Sequence, residues 1–182
     1  MLDKFLKEVF ALTAGKQAES LVDILAGKKY INEFLIAKKL NLTINQTRNI
    51  LYKISDSGLV SFIRKKDKRK GWYTYFWKIE IMKCLEFLKA DITKKIDQIH
   101  HQIKSRETKE YYSCNTCTIE FNEENALLHD FACNECGGIL SRKDNSGIIK
   151  EYNKNLERLK KQVVKSGDIL SRFYFPDISV GQ

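Results

Sequence analysis

The sequence predicts an α+β protein with an N-terminal winged helix, a long connecting helix, a four-cysteine zinc ribbon and a C-terminal helix. Three patterns indicate this fold class. A capped helix-turn-helix pattern precedes two strand-like segments joined by a basic loop, a long apolar helical stripe follows, and two Cys-x2-Cys pairs lie fifteen residues apart. We predict the boundaries 1–79 for the winged helix, 80–108 for the connecting helix, 109–142 for the ribbon, and 143–182 for the C-terminal helix and tail.

The N-terminal segment has the periodicity of several short helices. Apolar residues recur at helical spacing within residues 2–10 and 21–25, and a third helix is predicted from about residue 32 to residue 40. Thr43 and Gln46 have the spacing of a capping box, in which a hydroxyl at the N-cap and a glutamine three residues later satisfy free backbone N–H groups. A short turn followed by this capped helix predicts a helix-turn-helix.

Two strands and a basic loop complete the winged helix. After Gly58 the apolar period approaches two, so we predict a strand at 59–63, a polar loop at 64–70 and a returning strand at 71–79. Because a strand alternates its faces, the aromatic residues of the returning strand cannot all enter one core. We expect the loop to bind phosphates and the aromatic residues to contact DNA or protein. The cations are Arg64, Lys65, Lys66, Lys68, Arg69 and Lys70, and the aromatic residues are Trp72, Tyr73 and Tyr75.

Two alternatives remain for the wing. The loop charge could serve only to keep the loop solvated, and a neighbouring helix could bury both faces of the aromatic strand. The recognition helix itself is weakly basic, because Arg48 and Lys53 are the only cations within residues 43–57. A sequence-specific DNA reader usually carries more positive charge, so this helix favours docking on protein.

Four cysteines predict a structural zinc site. Cys114, Cys117, Cys133 and Cys136 have the Cys-x2-Cys spacing in which two tight turns complete a closed tetrahedral shell. A closed shell leaves no position for substrate or activated water, so we predict one zinc ion with a structural role. Two disulfides or an iron–sulfur cluster are the alternatives. The fifth cysteine, Cys84, lies in an apolar helical pattern and is predicted to be a core residue.

Charge and composition restrict the possible partners. The chain has 182 residues and a formal net charge of +9, which favours acidic partners such as nucleic acid. Residues 1–110 carry +10, residues 111–140 carry −5 and residues 141–182 carry +4. The ribbon is therefore acidic and would repel a phosphate backbone. Neither a signal peptide nor a membrane span is predicted, so we expect a cytoplasmic protein without a membrane partner.

No catalytic motif is recognised in the sequence. A Ser/His/Asp order, a P-loop and an HExxH pattern are all missing, and the only histidines are His100, His101 and His129. We expect no enzymatic activity. His129 lies within the cysteine loop and is predicted to be a polar loop residue.

Two apolar stripes flank the ribbon. The first predicts a helix over residues 79–105 and the second begins at Ile148 and continues to Val163. The two helices could close as an antiparallel pair, or each could join a second copy in a coiled coil. The tail from residue 166 to residue 182 ends in an apolar segment without periodicity, which suits either a docking peptide or a frayed end.

The order of these modules resembles archaeal transcription factor E, alpha subunit, the counterpart of the large subunit of eukaryotic general transcription factor IIE. The resemblance covers nearly the whole chain. Its specific motifs are the wing strand Gly-Trp-Tyr-Thr-Tyr-Phe-Trp-Lys at residues 71–78 and the ribbon sequence from Tyr112 to Gly137. The short length is similar to the archaeal members, because the eukaryotic relatives carry long acidic extensions.

The resemblance implies a basal initiation factor without catalytic activity. In this family the winged helix binds the clamp of RNA polymerase, the ribbon reaches toward the stalk, and the wing lies near the non-template strand of promoter DNA. The factor favours an open promoter complex that also contains TATA-binding protein and factor B. In many archaea a beta subunit pairs with the winged helix. The alternative from another class is a winged-helix DNA-binding repressor or metal sensor, which would bind an operator by itself.

Overall fold

The structure is a computed structural model that describes residues 2–27, 29–66, 68 and 71–174. The described chain forms two compact units. One contains the described residues up to Asp91 together with Val164 to Tyr174, and the other contains residues 92–163. None of the helices in the described part of the chain combines the length and the hydrophobicity of a membrane-spanning segment.

The first unit contains a winged helix. Its elements are α1 Leu2–Ala14, a 3-10 turn Lys16–Ala18, α2 Glu19–Leu25, β1 Ile31–Asn32, α3 Glu33–Leu40, α4 Ile44–Asp56, β2 Val60–Lys66 and β3 Tyr73–Ile79. The strands form an antiparallel sheet in the order β1-β3-β2. Helices and sheet share a core in which Phe10, Leu21, Ile36, Leu51 and Trp77 are fully buried.

The helix-turn-helix forms as the sequence predicts. Asn41 ends α3 in the left-handed conformation, and its backbone N–H donates to carbonyl groups of the last turn. Thr43 and Gln46 make the reciprocal capping box that starts α4. Gly58 has a φ of 71°, which a residue with a Cβ rarely adopts, and the chain turns there into β2.

Three boundaries differ from the prediction. Strand β2 continues to Lys66, so residues 64–66 lie in a strand and not in the predicted loop. Residues 31–32, predicted at most to begin a helix, pair with β3 instead. The long helix α5 spans Ile81–Thr108, because Ile79 still pairs with Val60 in the hairpin.

The second unit contains the ribbon. Its elements beyond the end of α5 are β4 Tyr111–Ser113, β5 Glu120–Asn122, α6 Glu123–Leu128, β6 Ser141–Arg142 and the first part of α7 Ser146–Tyr174. The strands form an antiparallel sheet in the order β5-β4-β6. The sequence analysis did not anticipate α6, although Asn122 marks its start by accepting a hydrogen bond from the N–H of Asn125 at 2.9 Å.

Both apolar stripes are partly buried. In the second unit, Ile99 and Ile103 of α5 and Leu156 and Leu159 of α7 are all buried. Other residues of the stripes, among them Ile96, Ile148, Tyr152 and Val163, are only half-buried. An antiparallel pair within the chain and a coiled coil with a second copy both stay predictions.

Candidate metal centre and nucleic-acid interface

The four predicted cysteines converge on one point. Their sulfur atoms all lie within 4.8 Å of one another. Zinc–sulfur bonds of about 2.3 Å in a tetrahedron give sulfur–sulfur edges of about 3.8 Å. Cys114 Sγ lies 3.5 Å from Cys136 Sγ, much longer than a disulfide bond, and all five cysteines are free thiols. The described cysteines are therefore positioned to bind one metal ion through four sulfur ligands.

The first Cys-x2-Cys pair lies in a tight hydrogen-bonded turn. The N–H of Cys114 donates to the carbonyl of Ile119 at 3.0 Å, and the N–H of Thr118 donates back to the carbonyl of Cys114 at 2.9 Å. The N–H of Cys117 also points at Cys114 Sγ, 3.4 Å away. Thr118 has a φ of 57°, which is unusual for a β-branched residue and is imposed by this turn.

The second pair repeats the same turn. The N–H of Cys133 donates to the carbonyl of Gly138, and the N–H of Gly137 donates to the carbonyl of Cys133, both at 2.8 Å. Gly137 has a φ of 70°, the position that Thr118 occupies in the first turn. A Cβ on Gly138 would lie 3.3 Å from Cys136 Sγ, so glycine there keeps space beside the sulfur atoms. Gly137 therefore supplies the left-handed conformation that the second turn requires.

The electrostatics of the cluster favour a bound cation. Backbone N–H groups of Cys117 and Thr116 lower the pKa of the Cys114 thiol to about 6. Hydrogen bonding to Cys136, followed by burial, raises the pKa of the Cys117 thiol to about 12. Four crowded sulfurs cannot all ionise unless positive charge lies among them, so the donor set fits a thiophilic divalent cation such as zinc.

The ribbon has a small core around the two turns. Cys114 and Cys133 are buried with Phe121, Ala126 and Leu140, while Cys136 is exposed. His129 lies on the surface, and its ring is 5.7 Å from that of Phe121 in an edge arrangement. It is not among the clustered sulfur ligands, in agreement with its prediction as a loop residue.

An ion-pair network joins the ribbon to the end of α5. Arg106 donates to Glu120 at 2.5 Å and Lys143 pairs with the same carboxylate. Burial alone would raise the pKa of Glu120, but hydrogen bonds from Lys143 and Arg106 hold it below its ordinary value. Arg106 also lies over the ring of Tyr111, with its guanidinium carbon 3.8 Å from the ring centroid. These contacts fix the ribbon sheet against α5 within the second unit.

Cys84 is a core residue, as predicted. Its side chain is fully buried, and its thiol donates to the carbonyl of Leu59 at 3.5 Å. Burial raises the pKa of this thiol to about 12, so it is neither a ready nucleophile nor a metal ligand.

The basic wing is exposed where the structure describes it. Arg64, Lys65 and Lys66 lie on the exposed end of β2, and Lys68 lies in the turn beyond it. The other two predicted cations, Arg69 and Lys70, lie outside the described residues. Four described cations thus project from one hairpin arm, whose antiparallel pairing with β3 holds the first three in register.

The aromatic residues of the wing divide between the core and the surface. Trp77 is fully buried, whereas Trp72 is 73% exposed and Tyr73 is 44% exposed. Tyr75 is half-buried, and the centroid of its ring lies 5.4 Å from that of the Phe62 ring across the hairpin. The Arg64 guanidinium carbon lies 5.0 Å from the centroid of the Tyr73 ring, so a cation and an aromatic ring are in contact on the exposed part of the hairpin.

A buried ion pair in the helix-turn-helix was not predicted. Glu33 at the start of α3 is completely buried, and Arg48 of α4 donates to both of its carboxylate oxygens at 2.8 and 2.7 Å. The backbone N–H of Tyr75 lies 3.4 Å from the same carboxylate. The pair therefore links α3, α4 and β3. No sequence signal indicated it, because the two residues are fifteen positions apart on different helices.

This pair removes one of the two cations from the recognition helix. Arg48 is held by Glu33, which leaves Lys53 as the exposed cation of α4. The described winged helix is thus strongly basic at its wing and nearly neutral along its recognition helix.

Sequence comparisons identify relatives over most of the chain. The profile of the family described as TFIIE alpha subunit matches residues 4–111 and ends just before the first cysteine pair. Transcription factor E of Methanocaldococcus jannaschii is 31% identical over 143 residues, which cover 79% of this chain and 83% of the relative. Transcription factor E of Thermococcus kodakarensis is 29% identical over 160 residues, which cover 86% and 85%. That of Methanobrevibacter smithii is 33% identical over 122 residues, which cover 67% and 70%.

Proposed function

This chain belongs to the TFIIE alpha subunit family, and on that premise we propose that it is a basal transcription initiation factor that stabilises promoter opening. It binds RNA polymerase near the clamp through its winged helix and contacts non-template DNA through its wing. It has no catalytic role. The ribbon holds one structural zinc ion through Cys114, Cys117, Cys133 and Cys136 and makes a second contact toward the polymerase stalk.

The uneven charge of the winged helix is the observation that carries this proposal. A helix that reads a DNA major groove needs free cations and bidentate donors at its surface. Here Arg48 is engaged by the buried Glu33, and Lys53 is the remaining cation of α4. The wing instead presents Arg64, Lys65 and Lys66 in an exposed row. This division supports a winged helix that docks on protein and touches DNA at its wing.

The exposed aromatic residues of the wing suit melted DNA. Bases in a single strand can stack on aromatic rings, which they cannot do within a duplex. Trp72 and Tyr73 are exposed beside the row of cations, and we propose that they contact unpaired bases or the polymerase. Tyr75 is less exposed, and we propose that it supports the contact by packing against Phe62 within the hairpin. TATA-binding protein and factor B belong to the same proposed complex, and a beta subunit is a further proposed partner.

Neutralising the wing should weaken DNA binding and its salt dependence. We expect weak, sequence-independent binding to bubble or single-stranded DNA. Each phosphate contact that is lost should reduce the slope of log K against log salt by about 0.7 for single strands. The variant replaces five residues by glutamine, and titrations of labelled bubble DNA at several salt concentrations measure the slope. The residues are Lys65, Lys66, Lys68, Arg69 and Lys70.

A charge-matched control separates the wing from the overall charge. Five exposed lysines of α7 can be replaced by glutamine with the same change in net charge, namely Lys150, Lys154, Lys160, Lys161 and Lys165. We expect the control to retain most of the slope. Equal losses in both variants would contradict a wing-specific contact. A tight, sequence-specific duplex complex formed by the protein alone would instead favour a repressor.

Binding to RNA polymerase tests the function directly. We expect the purified chain to be retained by the RNA polymerase of its own organism, and to be retained less well by polymerase lacking the stalk. Retention should fall without the stalk because the ribbon then loses its contact, whereas the winged helix keeps its contact on the clamp. If the chain bound neither the complete polymerase nor the polymerase lacking the stalk, the proposal would be contradicted.

A further inference from the structure

The ribbon exposes large apolar side chains that its own core does not use. Leu127 and Leu128 at the end of α6 are 64% and 78% exposed, and Ile139 beside the second cysteine pair is 83% exposed. Isolated apolar residues are common on protein surfaces. Here, however, two adjacent leucines end a helix of six residues in a module of about thirty residues.

Backbone hydrogen bonds place the end of α6 next to the second cysteine turn. The N–H of Phe131 donates to the carbonyl of Ala126 at 2.8 Å, and the N–H of Leu140 donates to the carbonyl of Phe131 at 2.8 Å. Ala132 forms an antiparallel bridge with Ile139. The exposed leucines and Ile139 therefore belong to neighbouring segments of one small scaffold.

The charge around these residues has a single sign. Residues 111–140 contain five acidic and no basic side chains. Glu120 is neutralised by Arg106 and Lys143, and Glu124 pairs with Lys109. Three carboxylates remain without a cationic partner among the described residues, namely Glu123, Asp130 and Glu135.

Each of these carboxylates is close in the chain to an exposed apolar residue. Glu123 is four residues before Leu127 on α6, a spacing that places both on one helical face. The N–H of Asp130 donates to the carbonyl of Leu127 at 3.1 Å, so Asp130 follows the leucines immediately. Glu135 lies between the cysteines of the second pair, close in sequence to Ile139. We name Leu127, Leu128 and Ile139, with these carboxylates, the acidic–apolar surface.

We propose that the acidic–apolar surface is the contact by which the ribbon binds a basic protein surface with an apolar centre on RNA polymerase, an inference that rests on the proposed function. Apolar side chains desolvated at the centre of an interface provide most of the affinity. Complementary charges around them accelerate association and select the partner. A nucleic acid is the wrong occupant, because its phosphates would meet uncompensated carboxylates.

Two sets of substitutions separate the apolar and charged contributions. Leu127→Ser with Leu128→Ser should weaken binding of the full chain to polymerase roughly tenfold or more, mainly by faster dissociation. Glu123→Gln, Asp130→Asn and Glu135→Gln together should slow association and flatten its salt dependence. The control, Val164→Ser on α7, removes an exposed apolar residue outside both the ribbon and the winged helix and should change affinity less than about twofold. Binding kinetics on immobilised polymerase measure all three, with metal content measured for each variant.

The outcomes distinguish this inference from the proposed function. Wild-type chain that fails to bind polymerase contradicts the function itself. If the wild type binds polymerase and the leucine variant binds equally well while retaining its metal, the proposed role of the acidic–apolar surface is overturned and the proposed function is not. The wild type could instead self-associate, and the leucine variant alone could lose this self-association while its polymerase binding stays unchanged. That result would assign the surface to a second copy of the chain and would also overturn the inference.

Discussion

Removal of the metal should unfold the ribbon and leave the winged helix folded. Small modules with four metal ligands have little core of their own, and zinc binding supplies about 10–16 kcal/mol of apparent free energy in comparable peptides. The ribbon core consists of a few residues around Cys114 and Cys133, which are themselves predicted metal ligands. The winged helix has an independent core that includes Trp77 and Phe10.

The chain offers a selective probe for this experiment. Both tryptophans, Trp72 and Trp77, lie in the winged helix and none lies in the ribbon. A strong chelator should therefore leave tryptophan fluorescence unchanged, while amide hydrogen exchange in residues 109–142 accelerates. Cys133→Ser should have the same effect without chelator, and Cys84→Ala should leave metal binding intact. Elemental analysis should find one zinc per chain; iron or no metal would contradict the site.

Breaking the buried ion pair should destabilise the winged helix strongly. Arg48→Ala leaves the carboxylate of Glu33 buried without its partner, and the loss of one member of a buried pair costs about 3–5 kcal/mol. Because the Arg48 side chain is 30% exposed, water can reach part of the site, and we expect a loss of about 2–4 kcal/mol in the free energy of unfolding. Urea unfolding followed by tryptophan fluorescence measures it.

Two further variants test the cause of this loss. Lys53→Ala removes the other cation of α4 from an exposed position, and it should change stability by less than about 0.5 kcal/mol. Replacing both partners, Glu33→Leu with Arg48→Met, removes the unpaired charge and should recover much of the stability. A loss in the double variant equal to that of Arg48→Ala would mean that burial of an uncompensated carboxylate is not the cause.

Local signals in the sequence were sufficient for much of the fold. The capping box of Thr43 and Gln46 depends on neighbours three residues apart, and the cysteine spacing depends on a turn of four residues. The left-handed positions at Gly58 and Gly137 follow from the unique freedom of glycine. Each of these features could be predicted because its physical cause lies within a few residues.

The features that were missed depend on distant partners. Strand β1 is two residues long and exists only because Ile31 and Asn32 pair with Trp77 and Phe76 more than forty residues away. Thr118 adopts a left-handed conformation that its own side chain disfavours, because the metal-site turn requires it.

The arrangement of site residues was only partly predictable for the same reason. The sequence indicated which residues are basic, but not that β2 would hold residues 64–66 in register with β3. It showed Arg48 as one of two cations of the recognition helix, but not that the fold commits this side chain to Glu33. Burial and pairing across elements decide which charges remain available for a partner.

The proposed mechanism is a shift in an equilibrium. A factor can favour the open polymerase–promoter complex only by binding it more tightly than the closed complex. A coupling of about 1–3 kcal/mol, or roughly five- to 150-fold in population, is typical of such effects. Two weak contacts on one chain can provide this coupling, because binding of the winged helix raises the effective concentration of the ribbon at its own site.

Transcription from a weak promoter, compared with the same promoter carrying a pre-opened bubble, tests the central claim most directly. We predict strong stimulation on the fully paired template and little on the pre-opened one, because melting no longer limits the second reaction. Replacing Trp72 and Tyr73 by alanine, or removing the ribbon, should each eliminate more than about half of the stimulation, since both contacts supply the coupling. Equal stimulation of the two templates by the wild-type chain would contradict a role in promoter opening.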